Sequence, residues 1–276
     1  MSRLFTDQAR YWRSPLLPGA EMLTAEYREH AFAPHWHEHY VFAVVTAGAE
    51  GYSYCGAEHV ATPGTIAVIN PGEVHTGSRA VEEGWAYRVF YPQVAVIAGL
   101  AEALAGCPVG APWFPGQVVA DADLAVRLAR AHVLLESGAD ALAAETALNA
   151  AFSLLIARHA RNRPLPARLT ADAGRVARMQ EKLAADPAEP VTLSELAASV
   201  GLSPFHAARL FARQVGMPPH AWRVQLRLNR AQELLRRGLS VTEAAAATGF
   251  TDQSHFTRHF KRAHGVAPGR WVLGGR

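Results

Sequence analysis

Three histidines alternate along Pro34-His35-Trp36-His37-Glu38-His39, and a fourth closes the later run Asn70-Pro71-Gly72-Glu73-Val74-His75. At i, i+2 and i+4 the first three imidazoles share one face of a strand, in steps of about 6.6–6.8 Å. Neutral imidazole ligates zinc, iron, copper or nickel, and it also hydrogen-bonds organic ligands through either ring nitrogen. Tyr87 and Arg88 are further pocket candidates, Arg88 as a clamp for a carboxylate. A different chemistry gathers at the other end. From Arg168 to Arg276 there are 16 Lys+Arg against 8 Asp+Glu, a surplus of +8, whereas residues 1–167 carry 11 against 16, or −5. A basic domain on an otherwise ordinary chain points to nucleic acid.

The elements that must hold these groups change in texture along the chain. Residues 20–95 alternate short apolar runs (HYVFAVV at 39–45, TIAVI at 65–69, WAYRVFY at 85–91) with Gly and Pro turn signals, which predicts an antiparallel sandwich or small barrel. Residues 121–160 are rich in Ala and Leu at helical spacing. Leu124, Leu128 and Leu135 make one stripe, Leu148, Phe152, Leu155 and Ile156 another, and Ser137-Gly138 separates the two helices. Arg161 to Pro166 reads as a linker, since two prolines interrupt it where the charge balance changes sign. The expected fold class is therefore α+β and multidomain, with a barrel over 1–115, a helical segment over 116–163 and an all-α domain over 164–276. At 276 residues, half of them hydrophobic and 18% charged, the chain has enough apolar material for sizeable cores. Two cysteines are too few for a disulfide scaffold, and no run of about 18 apolar residues or apolar leader is seen. A soluble, cytoplasmic protein without a membrane partner is expected.

The last third repeats itself. GLSPFHAARLFARQVGMPPHAW (201–222) aligns with GFTDQSHFTRHFKRAHGVAPGRW (249–271), with seven identities: Gly201/Gly249, Arg209/Arg258, Phe211/Phe260, Arg213/Arg262, Gly216/Gly265, Pro219/Pro268 and Trp222/Trp271. Each copy begins with a short helix of small residues (193–200 and 241–248) and a Gly at its end. A cap then opens the second helix: Ser203 before Pro204 in one copy, Asp252 in the other. These are helix-turn-helix signals. A long helix at 219–238, with Arg223, Arg227, Arg230 and Arg237 among its leucines, can fix the separation of the two units. Recognition helices held one DNA turn apart (roughly 34 Å) enter successive major grooves.

Residues 170–276 resemble the double helix-turn-helix domain of the AraC family of bacterial transcription regulators. The second copy carries the family's signature: Gly249-Phe250, Gln253-Ser254, Phe256, Arg258, Phe260-Lys261-Arg262, Gly265 and Pro268. The resemblance implies that the first turns of each recognition helix reach base edges. By position these are Phe205, Ala208 and Arg209, then Gln253, Ser254, His255 and Arg258, with Ser203 and His206 beside the first set. Arg can fork to guanine and Gln to adenine, whereas Ala208 offers only a methyl. Arg213, Lys261 and Arg262 read as phosphate or structural cations. The Arg that commonly follows the final aromatic is Val272 here.

His35 to Tyr91 resembles, more loosely, the cupin barrel that precedes the DNA-binding domain in many AraC-family members. That likeness implies a small-molecule effector site at His35, His37, His39, His75, Tyr87 and Arg88. It also implies a possible divalent transition metal at His37 and His39 (or His35 and His37) with His75. The Glu of cupin metal sites is missing: positions 43–45 are Ala, Val and Val, and Glu50 lies too far along. The family implies homodimerisation through the helices at 121–160, promoter DNA and RNA polymerase as partners, nucleoid association when DNA-bound and, most commonly, activation. The expected function is an effector-responsive, sequence-specific transcription regulator rather than an enzyme. The alternative is a metal-dependent cupin enzyme or metal sensor with an appended DNA-binding domain.

Overall fold

Short runs of aromatic and β-branched residues between Gly and Pro turns make the N-terminal region a set of short strands, the central ones buried on both faces. They are β1 (Gln8–Trp12), β2 (Glu21–Tyr27), β3 (Phe32–His35), β4 (Val41–Gly48), β5 (Glu50–Tyr54), β6 (Ala57–Ala61), β7 (Ile66–Ile69), β8 (His75–Arg79) and β9 (Trp85–Tyr91). Helix α1 (Val94–Ala105) follows, then β10 (Pro112–Trp113) and β11 (Val118–Val119). Helices α2 (Ala122–Ser137) and α3 (Ala141–His159) and the short β12 (Arg161–Asn162) complete this region. The computed structural model describes residues 5–138, 141–162, 171–189, 191–202 and 204–274. It divides into two compact units, one of residues 1–32, 36–164 and 273–276, the other of residues 33–35 and 165–272.

The strands form two main sheets, one ordered β1-β2-β9-β4-β7-β11 and one ordered β3-β8-β5-β6. The chain passes from the first to the second between β4 and β5. Gly48 is required there: its φ is +66°, and a Cβ would lie 2.0 Å from the carbonyl oxygen of Gly84.

Register separates the six-stranded sheet into two faces of different chemistry. Trp12, Met22, Phe90 and Phe42 line one face as cross-strand neighbours. They share a core with Leu124, Leu128 and Leu135 of α2 and Leu148, Phe152, Leu155 and Ile156 of α3. Both expected helical stripes are thus buried against the sheet. Each such side chain contributes roughly 1.5–3 kcal/mol through burial. Asp121 starts α2 by accepting the Leu124 amide at 3.1 Å. The opposite face carries Tyr11, Leu23, Val89 and Ala43 in one row and Ala25, Tyr87 and Val45 in the next. This second face looks into the barrel.

The second unit is helical: α4 (Ala171–Ala185), α5 (Leu193–Ala198), α6 (Pro204–Val215), α7 (Pro219–Arg236), α8 (Val241–Ala247), α9 (Gln253–His264) and α10 (Pro268–Gly274). Leu196, Phe211, Trp222, Leu228, Leu235, Phe256, Phe260 and Trp271 are buried in it.

One expectation fails in this region. The strand carrying the histidines ends at His35, and Glu38-His39 forms a bend, so the three imidazoles do not share one strand face. Helix α1 had no clear signal: its sequence VAVIAGLAEALA is apolar nearly all round, leaving no stripe to read.

Candidate functional site

The two helix-turn-helix units are built with the same local devices. Thr192 and Glu195 form a capping box at the start of α5, and Ser240 with Glu243 repeats it at the start of α8. The Thr192 hydroxyl accepts the Glu195 amide at 3.1 Å, and the Ser240 hydroxyl accepts the Glu243 amide at 3.2 Å. Asp252 caps α9 by accepting the His255 amide at 2.7 Å. Ser203, the expected cap of α6, lies outside the described residues, and so does the side chain of Phe205.

Each second helix buries one stripe and exposes another. In α9, Phe256 and Phe260 are buried, while Gln253, Ser254, Arg258, Lys261 and Arg262 are exposed. The Gln253 amide oxygen accepts a hydrogen bond from the Thr242 hydroxyl at 2.7 Å, which fixes its aim at the head of the helix. His255 is half-buried, with its ring 5.5 Å from Phe250 and its Nε2 3.0 Å from that of His259. In α6, Leu210 and Phe211 are buried, Ala208 is half-buried, and His206, Arg209 and Arg213 are exposed. His206, Arg209 and Arg213 line a shallow groove with Asp172, Leu202 and Leu210, where Arg213 stands 3.6 Å from Asp172.

The arginines of α7 divide into two kinds. Arg223 donates to the Pro187 and Glu189 carbonyls at 3.1 and 2.6 Å, and Arg227 to the Pro187 and Ala188 carbonyls at 2.7 and 3.1 Å. Both clamp the α4–α5 connection. Arg227 also lies 6.0 Å from the Phe250 ring, so it ties that connection to the second copy. Gly249 makes room for this, since a Cβ there would meet Ala188 at 2.9 Å and the Arg227 guanidinium at 3.0 Å. Arg230 and Arg237 instead pair with Glu233 on the exposed side.

In the barrel, His35, His37 and His75 each bring a ring nitrogen within 4.8 Å of the others. His35 and His75 are buried, and His37 is half-buried. The Nδ1 atoms of His35 and His75 lie 2.8 and 3.1 Å from the carbonyls of Ala33 and Glu73. A carbonyl only accepts, so both rings carry the proton on Nδ1 and present Nε2 as the basic nitrogen. That is the tautomer and outer bond of a metal-ligating imidazole. The three nitrogens therefore fit a divalent transition ion with open coordination positions. His39 is outside this group, so of the two pairs the sequence offers, His35 with His37 is the one that meets His75.

Arg88 also departs from expectation. It is adjacent to Tyr87 on β9, so the pleat sends the two side chains to opposite faces. Tyr87 points into the barrel. Arg88 points to α2, where it pairs with Glu136 and donates to His132 Nδ1 at 3.1 Å. Arg10 and Thr24, its neighbours across β1 and β2, bind the same Glu136. His132 is fully buried between Trp12 and Phe90, and burial pulls its pKa down to about 3. Arg88 is thus a structural cation of the sheet–helix interface.

Two family models match the chain: an AraC-like ligand binding domain over residues 17–152 and a helix-turn-helix domain over residues 196–273. The chain belongs to the AraC family of transcription regulators. Among curated relatives of this AraC-family protein, the uncharacterized HTH-type transcriptional regulator YbfI of Bacillus subtilis is 28% identical over 224 residues, covering 81% of each chain. The bifunctional transcriptional activator/DNA repair enzyme Ada of Escherichia coli is 41% identical over 86 residues, 31% of this chain and 24% of Ada. In fold, the chain is similar to the crystal structure of ToxT from Vibrio cholerae, with a TM-score of 0.53 and 11% identity over 98% of this chain and 97% of ToxT. The AraC-family assignment makes the protein a DNA-binding regulator with a ligand-binding domain. Among its described residues no helix is long and apolar enough to cross a membrane.

Sequence reasoning missed the Arg227–Gly249 contact and the buried Glu50. The first joins segments far apart in the chain, and only the fold brings them together. The duplicated capping boxes were readable as Thr-x-x-Glu and Ser-x-x-Glu at the same offset as the two glycines.

Proposed function

We propose that this protein is a cytoplasmic, homodimeric activator that binds promoter DNA through α6 and α9 and responds to a small molecule held in the barrel. The observation that carries the DNA reading is the same capped unit built twice, each copy showing a cation-bearing polar face outward at matched positions. Arg209 and Arg258 occupy equivalent places and suit guanine O6/N7. Gln253, aimed by Thr242, suits adenine. Ser203, Phe205, His206, Ala208, Ser254 and His255 flank these contacts, and Arg213, Lys261 and Arg262 take phosphates. Effector binding shifts the population of arrangements competent for DNA and RNA polymerase. Footprinting of the region upstream of the protein's own gene tests this. Two protected segments about one helical turn (roughly 34 Å) apart are expected. Uniform protection at all positions would overturn it.

A second reading rests on the His35, His37 and His75 cluster: a divalent transition ion, held by Nε2 of His35 and His75 and a ring nitrogen of His37, forms part of the effector site. When bound, such an ion supplies Lewis acidity and a fixed positive charge. His35 and His75 hold their rings in place through backbone carbonyls, and His37 completes the trio from the segment after β3. Elemental analysis of protein purified without a metal-affinity tag should find close to one equivalent, lost when His37 and His75 are both changed to Ala. A metal content unchanged by that double substitution would remove this reading.

A further inference from the structure

Two carboxylates are buried on strands that line the barrel, and only one has a cation beside it. Glu21, opposite Tyr91 in the β2–β9 register, lies 3.3 Å from the Arg13 guanidinium. Glu50, at the start of β5, is 7% exposed, and among the described residues its carboxyl meets no cation and accepts no hydrogen bond. Arg79 is its cross-strand neighbour on β8, yet that guanidinium turns away to Glu29 at 3.0 Å.

What surrounds Glu50 is aromatic. Alternation along β5 puts Glu50, Tyr52 and Tyr54 on one buried face. Across the barrel, Tyr87 and Tyr91 share the inward face of β9. The charge on Glu50 is felt at the phenols of Tyr52, Tyr87 and Tyr91, so these groups converge although they come from different sheets. Tyr27 extends the cluster, its ring 6.1 Å from Tyr87, 5.3 Å from Trp85 and 5.4 Å from Phe32. Tyr11 stacks on Tyr91 at 6.3 Å. Gly77, on the neighbouring β8, leaves space beside the carboxyl, where a Cβ would come within 3.0 Å of both Glu50 Oε1 and Phe32.

This arrangement is costly for the empty protein. A carboxylate removed from water without a partner is among the most expensive groups to bury, and burial accordingly raises the Glu50 pKa to about 8. Aromatic faces add no hydrogen bond to relieve it. They do present negative quadrupoles, which favour a cation and disfavour a second anion.

We propose that the barrel's effector is an organic cation, an ammonium compound whose charge sits against the Glu50 carboxylate and whose carbon skeleton packs on the rings of Tyr27, Tyr87 and Tyr91. The inference rests on the reading of the barrel as the effector domain and names the chemical class of what it takes. The ligand supplies the counter-charge that the fold withholds. Glu21 cannot take this part because Arg13 already neutralises it.

The test uses the full-length protein and three sets of probes: ammonium compounds (choline, benzyltrimethylammonium, phenethylamine), their neutral carbon isosteres, and carboxylates (benzoate, octanoate). Thermal stabilisation and calorimetric affinity are read for the wild type, for Glu50→Gln and for Tyr87→Leu. Glu50→Gln keeps the side chain's shape and removes the unpartnered charge, so its unliganded melting temperature should not fall. The expected result is stabilisation by members of the ammonium set only. Their affinity should drop roughly tenfold to hundredfold in Glu50→Gln, as for loss of a charge-assisted hydrogen bond, and should weaken in Tyr87→Leu, while DNA affinity without ligand is unchanged. Stabilisation by carboxylates or neutral compounds, indifferent to Glu50→Gln, would overturn the cation and leave the barrel an effector domain. No stabilisation by any set, with DNA affinity unmoved by all of them, would overturn both.

Discussion

The two units of this protein place charge in opposite ways. The helical unit packs Phe211, Trp222, Phe256 and Phe260 inside, with a buried His264 against Phe260, and sets Arg209, Arg258, Lys261 and Arg262 outside in water. The barrel unit buries more of its titratable groups, with Glu21, Glu50 and His75 on its strands and His132 under the sheet, among aromatic rings. Exposed cations cost little in the free protein and gain when they displace the counterions of a polyanion. Buried titratable groups carry a desolvation cost that a bound ligand can relieve. A regulator needs both: one surface that waits for DNA, and one interior whose free energy changes when a small molecule enters.

That contrast can be broken from either side, and the largest effect belongs to the helical core. Phe260→Ala should cost roughly 3–5 kcal/mol and unfold the helical unit first, seen by calorimetry as a transition that moves down while the barrel's stays. Next is Glu50→Gln. Its folded pKa of about 8 exceeds the ordinary 4.5, so ionisation in the unfolded chain lowers wild-type stability progressively as pH rises through that window. The phenols that feel the Glu50 charge are those of Tyr52, Tyr87 and Tyr91, all pushed up by burial, so the loss belongs to Glu50. The variant should be more stable than wild type by on the order of 4 kcal/mol near pH 8, at about 1.36 kcal/mol per pKa unit, with no gap near pH 4. Chemical denaturation across that range checks it. His132 acts with the opposite sign. Its pKa falls to about 3, so stability is lost as pH drops from about 6.5 toward 3, and His132→Asn should flatten that limb.

On the DNA side, Arg258→Ala should cost about 1–3 kcal/mol and relax base preference at one position, whereas Lys261→Ala should weaken all sequences alike and lower the salt slope by about one. Binding titrations at several salt concentrations separate the two. The smallest effect is local: Thr192→Ala or Ser240→Ala removes one half of a capping box, costing about 1 kcal/mol each, and equal losses would show that the two copies are built alike.

The helical unit was largely legible in the sequence because its signals are local. A cap bonds three residues ahead, a buried stripe repeats every three or four residues, and a duplication exposes both. The Leu124, Leu128 and Leu135 stripe and the extent of β9 were legible for the same reason. The barrel site was legible only in part. His35, His37 and His75 come together as residue type suggested, but His39 is carried off by the bend after β3. Tyr87 and Arg88 were read as one pocket although a strand must separate adjacent side chains. Which of the two faces inward depends on the helices packed outside, and no local pattern records that. Glu50 lies too far along the sequence to suit a metal, and its isolation from every described cation depends on both sheets being in place.

The most direct test of the whole account is the affinity of the full-length protein for DNA upstream of its own gene against shuffled DNA of the same length and composition, at one physiological salt concentration. The account predicts a preference of at least about a thousandfold, lost when Arg209 and Arg258 are both changed to Ala. Equal affinity for the two DNAs, with the double variant no different, would contradict it.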